Sequence, residues 1–152
     1  MKALVINKDL SREIREVADP VMLDFLAKVK VFGCGLCGSD VKILKGKLKN
    51  TPMDIYPMIP GHEAVGEVVE LGKDVTSYKV GDIVLMPYNL ITSDGLGAAW
   101  GAMAEYATVI DPAAPGAEMM GIWGARCQGK IRPDWVGPLE DIMIMTFRET
   151  LG

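Results

Sequence analysis

Apolar and polar residues alternate, or β-branched residues cluster, in six segments: Met1–Asn7, Glu13–Val17, Phe25–Phe32, Ala64–Leu71, Asp82–Met86 and Ala104–Ile110. A period of two marks a strand with one face buried. Turn residues separate these segments at Asp19-Pro20, from Pro57 to Gly61, at Gly72-Lys73-Asp74 and at Gly81-Asp82. Strands spaced this way, with no long helix between them, predict an antiparallel barrel or sandwich rather than a doubly wound sheet. One short helix is predicted at Asp40–Leu44, with Ser39 as its N-cap. After Ile110 the texture changes. Residues 112–117 read as a loop, Glu118–Gln128 has no period, and Pro138-Leu139-Glu140-Asp141 opens an apolar run, Ile142–Phe147.

Composition narrows the function classes. A chain of 152 residues, 49% of them hydrophobic, suffices for one domain with a real core and is short for two. A formal charge of −4, with both signs interspersed, carries no electrostatic footprint for nucleic acid or anionic membrane. There is no apolar run of membrane-spanning length, and the N-terminus turns polar too soon for a signal segment. Three cysteines are too few for a disulfide framework and point to a reducing, cytoplasmic compartment.

The chemistry concentrates in two stretches. Gly33-Cys34-Gly35-Leu36-Cys37-Gly38-Ser39-Asp40 contains both a G-x-G-x-x-G and a C-x-x-C, and Gly61-His62-Glu63 holds the only histidine. A dinucleotide fingerprint would need a long helix and a second parallel strand. The helix here ends near Lys45-Gly46, and Pro52, Pro57 and Pro60 oppose a central strand in the region that follows. A thioredoxin-like pair would need its first thiol at a helix N-terminus, whereas Cys34 ends a strand. A metal centre would join Cys37, His62 and Glu63, a thiolate, an imidazole and a carboxylate of the kinds zinc accepts. Adjacent strand residues face opposite ways, so either His62 or Glu63 leaves the strand or Glu63 acts from behind the ligands. From the residues alone a plainer reading stands beside this one, with His62 a satisfied turn or core histidine and Cys37 a small buried hydrophobe.

Three motifs in order carry a resemblance. Gly35-Leu36-Cys37-Gly38-Ser39-Asp40, the stretch Gly61-His62-Glu63-Ala64-Val65-Gly66 through Gly72, and Val80-Gly81-Asp82-Ile83-Val84 resemble the zinc-dependent medium-chain alcohol dehydrogenases; Ala104-Glu105-Tyr106 is similar to a later strand of that family. The resemblance implies a mainly β fold with short helices, a partly open GroES-like barrel over residues 1–110, followed by an irregular lead-in at 111–152 toward a coenzyme domain. No Rossmann domain and no cofactor-binding residues are expected in this chain. Cys37 and His62 would be zinc ligands, Glu63 an exchangeable or outer ligand, Ser39 a proton-relay hydroxyl and Asp40 the acid that orients His62. Zinc would polarise the oxygen of a small alcohol or carbonyl substrate, with hydride passing to NAD or NADP held by another domain. The chain alone is therefore expected not to turn over alcohols, and ordinary NAD(P)-dependent turnover with added zinc would overturn that.

Some positions depart from the pattern. The family's third ligand position falls near Phe147, which cannot bind zinc; Cys127, Glu140, Asp141 and Glu149 are substitutes that no motif selects. The four-cysteine structural-zinc lobe is absent, since Pro87 through Gly101 contains no cysteine. The alternative function is a stand-alone binding or assembly module that has lost the chemistry. It would present Leu96–Ala104 as an exposed apolar interface, with a homo-oligomer as one outcome. A zinc-free quinone or enoyl reductase ranks last, because such relatives lack the Cys/His pair. Met86, Tyr88 and Trp100 are candidates near the barrel mouth, and substrate and NAD/NADP preference are not legible.

Overall fold

The computed structural model describes residues 1–47, 55–89, 94–98, 100–117 and 129–130. Among the described residues, nine strands and one helix follow in chain order: β1 Lys2–Ile6, β2 Arg12–Glu16, β3 Leu26–Gly35, α1 Gly38–Leu44, β4 Met58–Ile59, β5 Glu63–Leu71, β6 Ile83–Leu85, β7 Gly97–Ala98, β8 Tyr106–Ile110 and β9 Gly129–Lys130. They form two sheets, ordered β2-β1-β4-β7 and β8-β3-β5-β6-β9. Every pairing is antiparallel except β4 with β7.

The sheets are stitched by residues 103–105. Leu4 N–H donates to Met103 O at 2.9 Å, Glu105 N–H to Lys2 O at 2.9 Å and Val31 N–H to Glu105 O at 2.9 Å. That seam makes the mainly β, partly open barrel that the resemblance implies, in keeping with the barrel or sandwich expected from the alternation, and no doubly wound sheet occurs among the described residues.

The strands bury their apolar residues in separate clusters. Ala27, Val29, Val68, Val84 and Val109 form the core of the larger sheet, closed by Tyr78. Ala3, Val5, Ile59 and Leu96 fill the smaller sheet. Ile6, Ile43, Tyr56 and Met58 join that sheet to α1, and the buried Tyr56 hydroxyl donates to Ile43 O at 2.9 Å. The helix that carries the chemistry is thus pinned to the barrel through Ile43.

Two details correct the sequence reading. The residue capping α1 is Cys37, not Ser39: its sulfur accepts from Ser39 N–H, while the Asp40 side chain accepts from Cys37 N–H in a capping box. Within the stretch expected to be an exposed apolar interface, Leu96 and Ala102 are buried, Leu96 packing on Ala3 and Val5 of β1. These two residues are therefore not part of an exposed interface of the kind expected for the assembly-module alternative. No helix among the described residues is long and apolar enough to cross a membrane.

Candidate metal centre

The site is assembled from two adjacent strands and the turn between β3 and α1. β3 carries two register shifts against β5, between Lys28 and Val29 and between Val31 and Gly33. Beyond the second, Cys34 and Gly35 pair with Ala64 and Glu63, so the chain leaving β3 emerges beside the chain entering β5. Two residues after Gly35, Cys37 caps α1, and on the other side His62 immediately precedes β5.

Gly61 makes that entry possible. Its φ of +101° lies in a region that side chains avoid, and a Cβ there would stand 2.7 Å from Met103 N and 2.9 Å from Cys34 Sγ. His62 is therefore released from strand alternation, while Glu63 is the first residue within it.

The polar atoms converge. His62 Nε2 is 3.2 Å from Cys37 Sγ and 3.2 Å from Ser39 Oγ, and Cys37 Sγ and Ser39 Oγ are 2.7 Å apart. On the far edge of the imidazole, Nδ1 faces Asp40 Oδ1 at 3.6 Å, beyond a normal hydrogen bond. The other Asp40 oxygen accepts from Cys37 N–H at 2.9 Å. Cys37, Asp40 and His62 offer donor atoms within 4.8 Å of one another. Glu63 stands outside that group. It is buried, and its Oε2 lies where it would meet a Cβ on Gly35 at 2.8 Å.

Whether these residues suit a metal can be judged from their unmet needs. Asp40 Oδ1, His62 Nδ1 and both Glu63 oxygens are buried with no hydrogen-bond partner among the described residues. Buried polar atoms are nearly always partnered, and an uncompensated buried carboxylate is costly. Two carboxylates beside a thiol and an imidazole form a donor set that a divalent cation would balance. Two ligands of a tetrahedral zinc, one sulfur and one nitrogen, stand about 3.6 Å apart. The 3.2 Å between Cys37 Sγ and His62 Nε2 is close to that spacing. The residues fit zinc.

Cys34 does not belong to this chemistry. Burial, reinforced by the nearby Asp40 and Glu63 carboxylates, pushes its thiol up to about 11. It stays protonated at neutral pH, the opposite of the lowered first thiol that a thioredoxin-like pair needs.

Trp100 is the neighbour that periodicity did not pick out as a partner of His62. Its ring lies 4.8 Å from the imidazole, centroid to centroid, at 46°. Of the other barrel-mouth candidates, Tyr88 is buried and exchanges backbone hydrogen bonds with Thr108, and Met86 is half-buried with φ +52°. Cys127, Glu140, Asp141, Phe147 and Glu149 lie outside the described residues. The capping role of Cys37 did have a signal: Cys37-x-x-Asp40 has the spacing of a capping box, with sulfur in place of a hydroxyl.

Residues 25–115 match the alcohol dehydrogenase GroES-like domain. The chain belongs to that family. A cinnamyl alcohol dehydrogenase from Capsicum annuum is 58% identical over 57 residues, which are 38% of this chain and 15% of that protein. A solved cinnamyl alcohol dehydrogenase from Sorghum bicolor superposes with a TM-score of 0.67 over 95% of this chain and 44% of that one, at 18% identity. An alcohol dehydrogenase from a Thermus species gives 0.61 over 88% and 40%, at 23% identity. At those identities the two structures attest the fold. This GroES-like domain chain spans 40% and 44% of the two solved relatives, and the matched segment 15% of the curated one.

Proposed function

We propose that this chain is the zinc-holding catalytic portion of an NAD(P)-dependent alcohol dehydrogenase-type oxidoreductase acting on a small alcohol or carbonyl compound. The observation that carries the reading is the convergence of Cys37 Sγ, Ser39 Oγ and His62 Nε2 at 2.7 to 3.2 Å, backed by buried carboxylates without partners. Cys37 and His62 would hold the metal, which when bound supplies Lewis acidity toward a substrate oxygen.

The remaining work falls to this chain's own groups. Ser39 Oγ sits among the donors, where a hydroxyl can pass a proton between a substrate oxygen and its surroundings. Asp40 faces His62 Nδ1 and favours the tautomer that keeps a proton there, leaving Nε2 with its lone pair toward Cys37. Ser39 N–H donates to the Cys37 sulfur at 3.3 Å and so fixes where that sulfur stands among the donors. Glu63 adds a second buried carboxylate behind the ligands, placed to act as an outer or exchangeable one. The barrel portion is read as residues 1–110, ending with β8, and the nicotinamide coenzyme as bound by protein outside it. Free thiols at Cys34 and Cys37 support a reducing, cytoplasmic setting.

Elemental analysis of protein purified without chelator tests the reading directly. Near one zinc per chain is expected, lost in both Cys37→Ser and His62→Ala. Zinc-free parent protein that takes up none on titration, or variants that keep the parent's content, would refute it.

A further inference from the structure

Trp100 is held in a backbone conformation that bulky residues avoid. Its φ is +66°, and Gly101 follows at +71°, so two successive residues are left-handed. A tryptophan there is a genuine outlier, and such conformations persist only where the surroundings over-determine them.

The surroundings do so through Asn89, which is almost wholly buried. Asn89 N–H donates to Trp100 O at 2.5 Å. Its Nδ2 donates to Gly101 O at 2.8 Å and to Tyr106 O at 2.8 Å. Gly101 closes against the same residue, where a Cβ would meet Asn89 Cβ at 2.7 Å. One buried amide thus ties the left-handed pair to β8.

The result of that strain is the direction of the indole. It packs on the cluster of Ile6, Ile43, Tyr56 and Met58, the same cluster that anchors α1, and it meets the imidazole of His62 at 4.8 Å. The edges of the imidazole are addressed by Asp40 on one side and by Cys37 and Ser39 on the other. Those contacts leave the ring free to tilt about the line joining its nitrogens. The indole lies across that freedom.

We propose that Trp100 is a positioning residue for His62. By bearing on the imidazole it fixes the tilt at which Nε2 faces Cys37, and thereby sets the affinity of the site for a divalent metal; Asn89 acts through it. The inference rests on the zinc reading above. Removing outer-shell partners of metal-ligating histidines typically costs about 10- to 100-fold in affinity.

The test titrates the full chain and its variants with Zn²⁺ against a chromophoric chelator, and records the visible ligand-field bands with Co²⁺ as probe. Trp100→Ala is expected to weaken Zn²⁺ by about tenfold or more and to shift the cobalt bands, whereas Trp100→Phe, which keeps an aromatic face, restores both to the parent's. Asn89→Ser, which leaves the indole intact but loosens its backbone, is expected to shift the cobalt bands in the same direction; it also serves if Trp100→Ala fails to fold. Unchanged affinity and bands in Trp100→Ala, unchanged bands in Asn89→Ser, or a Trp100→Phe variant as weak as Trp100→Ala would overturn the proposal while leaving the zinc reading intact. A parent protein that binds neither metal would overturn both.

Discussion

Gly61→Ala is expected to lower stability by about 2–5 kcal/mol and to abolish metal binding in whatever fraction remains folded. Two costs add. An alanine at φ +101° sits in a sparsely populated region, at about 1–3 kcal/mol. Its methyl would also press to 2.6 Å from Met103 Cγ and 2.7 Å from Met103 N, an overpacking of similar size. Neither neighbour can easily yield. Met103 N–H already donates to Pro60 O at 2.9 Å, Ala102 N–H to Gly61 O at 3.0 Å, and Met103 O accepts from Leu4 as part of the seam between the sheets. Relief would have to come from the turn itself, which carries His62. Denaturant unfolding and zinc content measure the two effects together. Gly38→Ala is the control, because a Cβ there has nothing within 4 Å and the residue opens α1, where alanine is the better helix former. A Gly61→Ala protein with the parent's midpoint and zinc content would show that the turn does not place His62.

Why that turn was visible in the sequence, and its consequence was not, is a matter of scale. The longer strands announce themselves in two ways: β1 buries Ala3 and Val5 on alternate positions, whereas β8 buries Ala107 through Ile110 in succession and shows instead as an apolar, β-branched run. The two-residue strands β4 and β7 have no room for a period and pass unseen. Their pairing is decided by the seam and the turns around it rather than by their own residues. The relation of His62 to Glu63 hinged on whether a strand begins one residue earlier or later, which alternation cannot fix to that precision. With β5 beginning at Glu63, the two side chains go to different places. The pairing of Cys37 with His62 was suggested by donor chemistry and by resemblance, and their 3.2 Å approach follows from β3 and β5 being neighbours. Trp100 was legible only as a barrel-mouth candidate, and its bearing on His62 lay beyond reach for a different reason. No local propensity puts tryptophan in a left-handed conformation, so only the tertiary hold of Asn89 explains it.

The second large effect is expected far from the metal centre, at Asp111. Its carboxylate is fully buried and accepts from Thr76 N–H at 2.6 Å, Ser77 N–H at 2.8 Å, the Ser77 hydroxyl at 2.6 Å and Ala113 N–H at 2.9 Å. Burial by itself would raise its pKa, but these hydrogen bonds outweigh it and hold the group at about 2. An unfolded aspartate titrates near ~3.9. The folded pKa is therefore the lower one, so the stabilisation is fully present above the unfolded value and is lost as pH falls toward 2. A difference of roughly two units corresponds to about 2–3 kcal/mol. Asp111→Asn should cost about 3 kcal/mol near neutrality, since in either orientation the amide turns its NH2 toward backbone N–H groups, those of Thr76 and Ser77 or that of Ala113. The gap between parent and variant should then narrow steadily from pH 5 to pH 2 in urea unfolding. A gap that does not change with pH would mean that the carboxylate's charge is not what binds the residue 76–77 turn to the end of β8. Zinc per folded chain should remain at the parent's value in Asp111→Asn, because this staple closes the edge of the larger sheet and shares no residue with the Cys37–His62 group. Stability lost at Asp111 with zinc retained, against both lost at Gly61, would separate what keeps the barrel folded from what aims its ligands.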